Sequence, residues 1–349
     1  MTPTPLGELL GLALDEHGAA HRPPGAVLGI DDGTGLRYGA IGLADIPSDE
    51  AATPHHVQDI ASVSKVLTTL ATLVLASRGA LRREDRLGRL LGRRAGAHAD
   101  VRIEDLLRHR SGMAPWMPLY LLPGAADPVD RALAVPPPTR PDTQRVYSDL
   151  GMIVLGRVLE VVSRQPLPEL IRTLVLEPVG ASDVTAGTPA PDRPTLTGGA
   201  GDRIEQQMVA TGIPYDTGVD GSGFSWRTAP VRREIGDGNA HHACGGTAGH
   251  AGWFAGVDGL LAVASALADP TVLGVDDRLT SALGDQIDDG QGLGVRRYRI
   301  PWCGERRTFL GHPGFTGAFV AAAPATANAP AVRIALLDNR LHGASPEGS

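Results

Sequence analysis

The sequence predicts an α+β protein whose sheet is built from both ends of the chain, with a mainly helical lobe inserted between them. Near the N-terminus, two short apolar runs at 26–30 and 36–43 flank a Gly- and Asp-rich turn, which indicates a β-hairpin. Near the C-terminus, strand-like runs return at 308–310, 317–323 and 332–337. Between these ends, apolar spacing from about residue 80 to 235 is mainly helical.

Apolar periodicity locates the helices. Residues 6–17 carry leucines at helical spacing and predict an amphipathic helix ahead of the hairpin. Residues 62–77 are apolar around most of a helix, with Gly79 suited to end it, so this should be a buried central helix. Further helices are expected at 103–107, 151–162 and 260–268. Residues 182–233 are rich in Gly and Pro with weak periodicity, which predicts a long irregular segment of the kind that often sets function.

These elements predict two lobes. Residues 1–60 and 240–349 should form a discontinuous α/β sheet lobe, and residues 61–239 a mainly helical lobe. Ligand sites usually form in clefts between such lobes, so we expect the active site there.

Composition excludes several classes of function. The chain has 349 residues, 42% of them hydrophobic, and its net charge of −7 argues against a nucleic-acid partner. It has two cysteines and neither a C-x-x-C nor an H-E-x-x-H pattern, so we expect no disulfide framework, no metal and no cofactor. No run of eighteen apolar residues is present, and the first residues lack a basic segment. We therefore expect a cytoplasmic protein without a membrane partner.

Lysine usage singles out one position. Lys65 is the only lysine, and the other basic residues are all arginine. Arginine stays protonated in proteins, whereas a buried lysine can act on a proton. Ser62 precedes Lys65 by three residues, which on a helix places both side chains on one face. This S-x-x-K pattern is typical of a serine nucleophile with a lysine at its hydroxyl, although so short a pattern also arises by chance.

Two further groups complete a recognisable order. Tyr147 begins a Y-x-[ND] motif that ends at Asp149, and His312 begins an H-x-G motif that ends at Gly314. In sequence, S-x-x-K, Y-x-[ND] and [KH]-x-G resemble the serine hydrolases of the class C β-lactamase and penicillin-binding-protein type, especially the esterase-like, β-lactamase-related branch. Segments 101–113, 245–254 and 337–342 are also similar to patterns of that family. The resemblance extends from about residue 20 to 342 and implies the β-lactamase/transpeptidase-like fold.

The resemblance also implies roles. Ser62 would be acylated, Lys65 and Tyr147 would share its proton, and the N–H groups of Ser62 and Phe315 would bind the oxyanion. His312 would lie across the cleft near Tyr147. From its position in the chain, Trp116 is the best candidate among the tryptophans to line an acyl pocket, whereas His250 is expected to pack beneath the site.

Departures from the family pattern refine the expectation. Pro313 stands where β-lactamases and D-Ala-D-Ala peptidases carry a threonine that helps bind a substrate carboxylate, and proline offers neither hydroxyl nor N–H. Asp149 stands where β-lactamases carry Asn, and an ionised Asp149 would keep Lys65 charged, which favours Tyr147 as the proton acceptor. The family usually covers its sheet with a C-terminal helix. Here either the N-terminal helix or a second copy in a homodimer would cover that face.

The sequence therefore predicts a serine-dependent acyl hydrolase acting on a small-molecule acyl substrate, with a carboxylic-ester hydrolase as the leading version. The alternatives are an acyltransferase in small-molecule biosynthesis, a D-Ala-D-Ala peptidase or β-lactamase, and a catalytically inactive binding module on the same fold.

Overall fold

The computed structural model describes residues 22–124, 127–285 and 290–343. The helix predicted at 6–17 lies outside these residues. The strands in chain order are β1 (Gly25–Asp31), β2 (Leu36–Asp45), β3 (Glu50–Ala51), β4 (Gln58–Asp59), β5 (Thr185–Ala186), β6 (Trp253–Ala255), β7 (Arg296–Trp302), β8 (Glu305–Pro313), β9 (Phe319–Ala323) and β10 (Val332–Asp338).

The described residues contain ten helices, including those predicted at 62–77, 103–107, 151–162 and 260–268. They are α1 (Ser64–Ser77), α2 (Leu87–Leu91), α3 (Ile103–Leu107), α4 (Pro128–Ala134), α5 (Asp149–Ser163), α6 (Leu167–Ile171), α7 (Glu177–Val179), α8 (Arg203–Thr211), α9 (Val257–Ala268) and α10 (Asp277–Leu283). Short 3₁₀ turns span Ala61–Val63, Gly92–His98 and Pro270–Leu273, and π turns span Arg172–Leu176 and Asn239–Ala243.

One antiparallel sheet joins the two ends of the chain. Its strand order is β3-β2-β1-β10-β9-β8-β7. The junction is the β1–β10 pair, in register from Ala26 opposite Asp338 to Asp31 opposite Arg333. Helix α9 lies directly on this sheet, because a Cβ at Gly29 would be only 2.8 Å from a methyl carbon of Leu261. The predicted α+β architecture, with its terminal hairpin and closing strands, is confirmed.

Helix α1 is the central helix that the sequence predicts. Every residue from Ser64 to Leu75 is buried, and Gly79 follows the helix with φ +71°, in the left-handed region that suits glycine. The buried threonines on this helix are satisfied by main-chain carbonyls. Thr68 Oγ1, for example, donates to Gly249 O at 2.8 Å. Because the whole of this part of the helix is buried, Lys65 is buried together with its apolar neighbours.

Several short elements, such as β3 to β6 and α10, were not predicted individually, and two longer ones differ from the prediction in an informative way. Strand β7 was not predicted because arginines interrupt its pattern, yet Tyr298, Ile300 and Trp302 alternate along it and pack against the sheet. It is an edge strand, where charged residues discourage pairing with other chains. The expectation of an irregular segment over 182–233 is wrong at the short strand β5 and at α8, whose apolar side faces a cavity instead of the core. The two lobe boundaries stay a prediction.

Candidate active site

A cavity of about 600 Å³ opens beside the start of α1. Its wall combines Ser62, Tyr147 and Asp149 with apolar side chains from several parts of the chain. The larger apolar side chains of the wall include Trp116, Leu196, Ile204, Met208, Ile213, Val231, Phe254, Phe315 and Leu341. A cavity of this size and lining suits a small ligand with an apolar body.

Ser62 and Lys65 are in direct contact. Lys65 is 1% exposed, and its Nζ donates to Ser62 Oγ at 2.7 Å and approaches the carbonyl oxygen of His250 at 3.3 Å. Ser62 lies in the 3₁₀ turn that leads into α1, one residue after Ala61. Ala61 has φ +43°, an uncommon conformation for a residue with a side chain, and its N–H donates to Asp59 Oδ1 at 2.9 Å. The serine is therefore held on a constrained turn at the end of a buried helix.

Asp149 supplies the charge that partners Lys65. Its Oδ1 lies 2.7 Å from Lys65 Nζ. Asp149 is the first residue of α5, after the cap residue Ser148, whose Oγ accepts the Gly151 N–H at 3.0 Å. Burial lowers the pKa of Lys65, but the negative charge of Asp149 and the neighbouring Tyr147 outweigh it, so that the pKa lies above its usual value. Lys65 is therefore a charged ammonium at neutral pH.

Tyr147 joins the same cluster. Its ring lies between two histidines, with centroid distances of 4.5 Å to His109 and 5.8 Å to His312. Lys65 Nζ is 4.9 Å from the ring centre. Burial raises the pKa of the Tyr147 phenol, and the charge of Lys65 and hydrogen bonds to Lys65 and Ser62 offset that only in part. The structure thus brings Ser62, Lys65 and Tyr147 together at the cavity.

His312 and the turn after it close the opposite side of the site. Burial and nearby positive charges, first that of Lys65, lower the pKa of His312 to about 3, so the imidazole is neutral. Its Nδ1 lies 2.6 Å from the carbonyl oxygen of Pro313 and donates to it, which leaves Nε2 as an acceptor. Gly314 must lack a side chain because a Cβ there would be 2.5 Å from Ile60 O. Phe315 is 44% exposed and lines the cavity, as does the predicted pocket residue Trp116.

Sequence reasoning missed His109. This buried residue has φ +55°, and its Nδ1 accepts the N–H of Ser148 at 3.2 Å, so it fixes the backbone beside Tyr147 as well as the ring. Burial and the charge of Lys65 hold its pKa well below the usual value, so it packs as a neutral ring. His109 lies in segment 101–113, which resembles a pattern of the family, but nothing in the sequence of that segment indicates contact with Tyr147.

A second polar pair, His250 with Asp237, lies next to Lys65. His250 Nε2 lies 2.9 Å from Asp237 Oδ1, and the carbonyl of His250 faces Lys65. His250 therefore has the supporting position expected for it, and its carboxylate partner was not foreseen. Among the described residues, no group of three or more His, Cys, Asp or Glu side chains is placed to hold a metal ion.

Helix α8 forms the roof of the cavity. Ile204 and Met208 line it, and the following Ile213 and Tyr215 extend the roof. Glu205 anchors the helix, since its carboxylate accepts the Tyr120 hydroxyl at 2.5 Å and the Gly238 N–H at 2.7 Å. These two bonds hold the apolar side of α8 over the cavity.

Comparison with known proteins identifies the family. The beta-lactamase family model matches residues 13–348. This chain belongs to the beta-lactamase family. Members of this family are serine hydrolases, and the resemblance seen in the sequence is confirmed.

The relatives have several different names. One is a putative D-alanyl-D-alanine carboxypeptidase of Escherichia coli strain K12, 28% identical over 220 residues that cover 58% of this chain and 48% of the relative. Another is esterase EstB of Burkholderia gladioli, 29% identical over 214 residues that cover 55% of this chain and 54% of the relative. This chain thus matches about half the length of these curated relatives.

A class C beta lactamase from Rhodobacter sphaeroides shares the fold, with a TM-score of 0.67 at 17% identity over 97% of this chain and 95% of that one. The predicted β-lactamase/transpeptidase-like fold is therefore confirmed. Within the described ranges, no helix has both the length and the apolar character needed to cross a membrane.

Proposed function

We propose that this protein hydrolyses carboxylic esters through a covalent acyl intermediate on Ser62. The observation that carries the proposal is the contact at the cavity wall, where the charged Lys65 donates to Ser62 Oγ at 2.7 Å while Asp149 holds it at 2.7 Å. A serine hydroxyl needs a general base within hydrogen-bond reach to become a nucleophile, and Tyr147 lies in the same cluster, 4.9 Å from Lys65 Nζ at its ring centre.

The geometry favours Tyr147 as the proton acceptor. An ammonium that donates to Ser62 Oγ cannot also take the serine proton, so Lys65 acts by stabilising the phenolate of Tyr147. Ser62 Oγ would attack the ester carbonyl as its proton passes to Tyr147. Tyr147 would then return that proton to the departing alkoxide, and water would release the acyl group by the same route. The backbone N–H groups of Ser62 and Phe315 would bind the oxyanion.

The residues of the H-x-G motif and the cavity wall favour an ester substrate that carries no additional free carboxylate group. At the H-x-G motif, His312 is neutral and Pro313 has no donor, so neither group can bind a substrate carboxylate there. The cavity wall is largely apolar, which suits an apolar acyl or alcohol group. The esterase name of the Burkholderia gladioli relative agrees with this choice.

A peptidase is the second candidate, because another relative bears a carboxypeptidase name. The same catalytic cluster could also transfer the acyl group to an alcohol or amine. Adding such a nucleophile during ester turnover separates transfer from hydrolysis, since a transferase would form the new ester or amide in preference to the free acid.

Intact-mass labelling tests the proposal. Activated esters of different acyl length and a fluorescent penicillin are each mixed with the wild type, and the mass of the trapped acyl-protein is measured. Ser62→Ala should abolish labelling, while Ser64→Ala is the matched control, since Ser64 is a buried serine two residues further along the chain whose hydroxyl has no hydrogen-bond partner among the described residues. Adducts from the penicillin but not from the esters would favour the peptidase, and ester adducts that persist in Ser62→Ala would disprove the assigned nucleophile.

A further inference from the structure

We propose that Gln58 and Thr316 form a clamp that fixes the turn bearing Phe315 against the turn bearing Ser62, and so positions the two oxyanion donors. The inference rests on the proposed function, because it concerns the oxyanion site of the same reaction. Neither residue touches the reacting atoms in this scheme, so both are positioning residues.

Gln58 joins three separate parts of the chain. It lies in β4, is 2% exposed, and precedes Asp59 on the path to Ser62. Its Nε2 donates to Thr316 O at 2.9 Å and to Asp338 O at 2.7 Å. Both N–H groups of the amide are therefore used, and this pair of bonds fixes the orientation of the side chain. An apolar residue of equal size could fill the space but could not hold these two carbonyl groups.

Thr316 makes the return contact. Its Oγ1 donates to the carbonyl oxygen of Asp59 at 2.7 Å, and it is buried. The Thr316 carbonyl, in the turn that bears Phe315, thus accepts from Gln58. The Asp59 carbonyl, just before the turn that bears Ser62, accepts from Thr316. This reciprocal pairing constrains the distance between the two turns in a way that a single bond could not.

Contacts within and outside the clamp keep the second turn rigid. Gly317 donates its N–H to Gly314 O at 3.0 Å, which closes the turn around Phe315. Arg340 Nε donates to Phe315 O at 2.8 Å from the outer side. The N–H of Phe315 can therefore move relative to Ser62 only if the whole turn moves.

The expected effect follows from how steeply catalysis depends on position. Loss of one oxyanion donor typically lowers kcat by about 100- to 1000-fold, and a displaced donor should cost part of this. We expect Thr316→Val, which keeps the shape of the side chain but removes its hydroxyl, to lower kcat by about 10- to 100-fold with little change in KM. Thr316→Ser keeps the hydroxyl and should restore kcat to within a few fold.

The experiment uses the full chain with a chromogenic ester and an arylboronic acid, which forms a tetrahedral adduct on the serine. Wild type, Thr316→Val, Thr316→Ser and Gln58→Met are compared for kcat, KM, boronic-acid affinity and melting temperature. The clamp predicts that kcat and boronic-acid affinity fall together in Thr316→Val and Gln58→Met, that KM is little changed, and that serine at 316 rescues both quantities.

The clamp is overturned if Thr316→Val keeps kcat within twofold of wild type, or if kcat falls without a matching loss of boronic-acid affinity. Should Thr316→Val not fold, Gln58→Met decides the matter by the same two readouts, kcat and boronic-acid affinity. Failure of the proposed function is a separate result: the wild type would then hydrolyse no ester, and the clamp would be measured through the rate at which a fluorophosphonate labels Ser62.

Discussion

Replacing Asp149 with Asn should shift the pH–rate profile to lower pH. Asp149 is the charge partner of Lys65, and its negative charge raises the pKa of both Lys65 and Tyr147. The pKa values of Lys65 and Tyr147 both lie above their usual values. At neutral pH the base that accepts the serine proton is therefore rarely deprotonated. The acid limb of kcat/KM should therefore lie on the alkaline side of neutral in the wild type. Removing the carboxylate lowers both pKa values, so the limb moves the same way whichever group limits the rate.

The size of the shift follows from the distance. Two unit charges 2.7 Å apart interact by about 6 kcal/mol at an effective dielectric constant of about 20. This is an upper bound, because Asp149 is 20% exposed and the asparagine amide retains a dipole beside Lys65. One pKa unit corresponds to about 1.4 kcal/mol, and a close opposite charge usually shifts a pKa by about 1–3 units. We therefore expect the acid limb of Asp149→Asn to lie about 1–3 pH units below that of the wild type.

The assay is kcat/KM for a chromogenic ester over about pH 6 to 11, where this ratio reports the ionisation of the free enzyme. Glu305→Gln is the matched control, because it removes one negative charge from an exposed position at the start of β8. Its profile should overlay that of the wild type. An acid limb that stays in place in Asp149→Asn, or moves to higher pH, would refute the assignment of the Lys65–Asp149 ion pair as the element that sets the profile.

Three further changes have defined outcomes. Tyr147→Phe keeps the ring between His109 and His312 but loses the hydroxyl, so the single-turnover acylation rate should fall by about 100- to 10,000-fold while the melting temperature changes little. Burial raises the pKa of Asp338 to about 7, so the folded state holds a proton that the unfolded chain releases near pH 4, and the contribution of this one group to stability should be lost as pH rises from about 4 to 7. Asp338→Asn should remove that contribution, so the difference in unfolding free energy between the variant and the wild type should change over this pH range in denaturant titrations, and a constant difference would contradict the assignment. Trp116→Ala removes a large side chain from the cavity wall and so enlarges the cavity. The ratio of kcat/KM for long-chain esters to that for acetyl esters should then rise by about tenfold. An unchanged ratio would show that the acyl group binds elsewhere.

The elements that the sequence predicted are those whose packing requires a regular spacing of apolar residues along the chain. The central helix is apolar on nearly every side because every residue from Ser64 to Leu75 is buried. Strand β7 was missed because its outward positions carry arginine, which hides the alternation of its inward residues. Helix α8 was missed because its few apolar residues face a cavity, so no apolar stripe towards the core is needed.

The candidate site divides in a similar way. Ser62 and Lys65 were predicted because their contact is local, within one turn of helix. Tyr147, Asp149 and His312 could be placed only through the family resemblance, since the chain does not say where distant segments meet. His109 and Thr316 escaped notice because they act on main-chain atoms of other segments, at Ser148 and Asp59. Such contacts depend on tertiary position and leave no pattern of residue types.

The junction of β1 with β10 has a consequence for biosynthesis. Ser62 and Lys65 leave the ribosome early, yet the strand that completes the sheet beside β1, and the carbonyl of Asp338 that holds Gln58, emerge some 280 residues after Gln58. Pairing between segments so distant in sequence is slow, because a long loop must close first. A nascent chain therefore carries Ser62 without the Phe315 turn for most of its synthesis. Such a chain would lack the proposed esterase activity until β10 is in place.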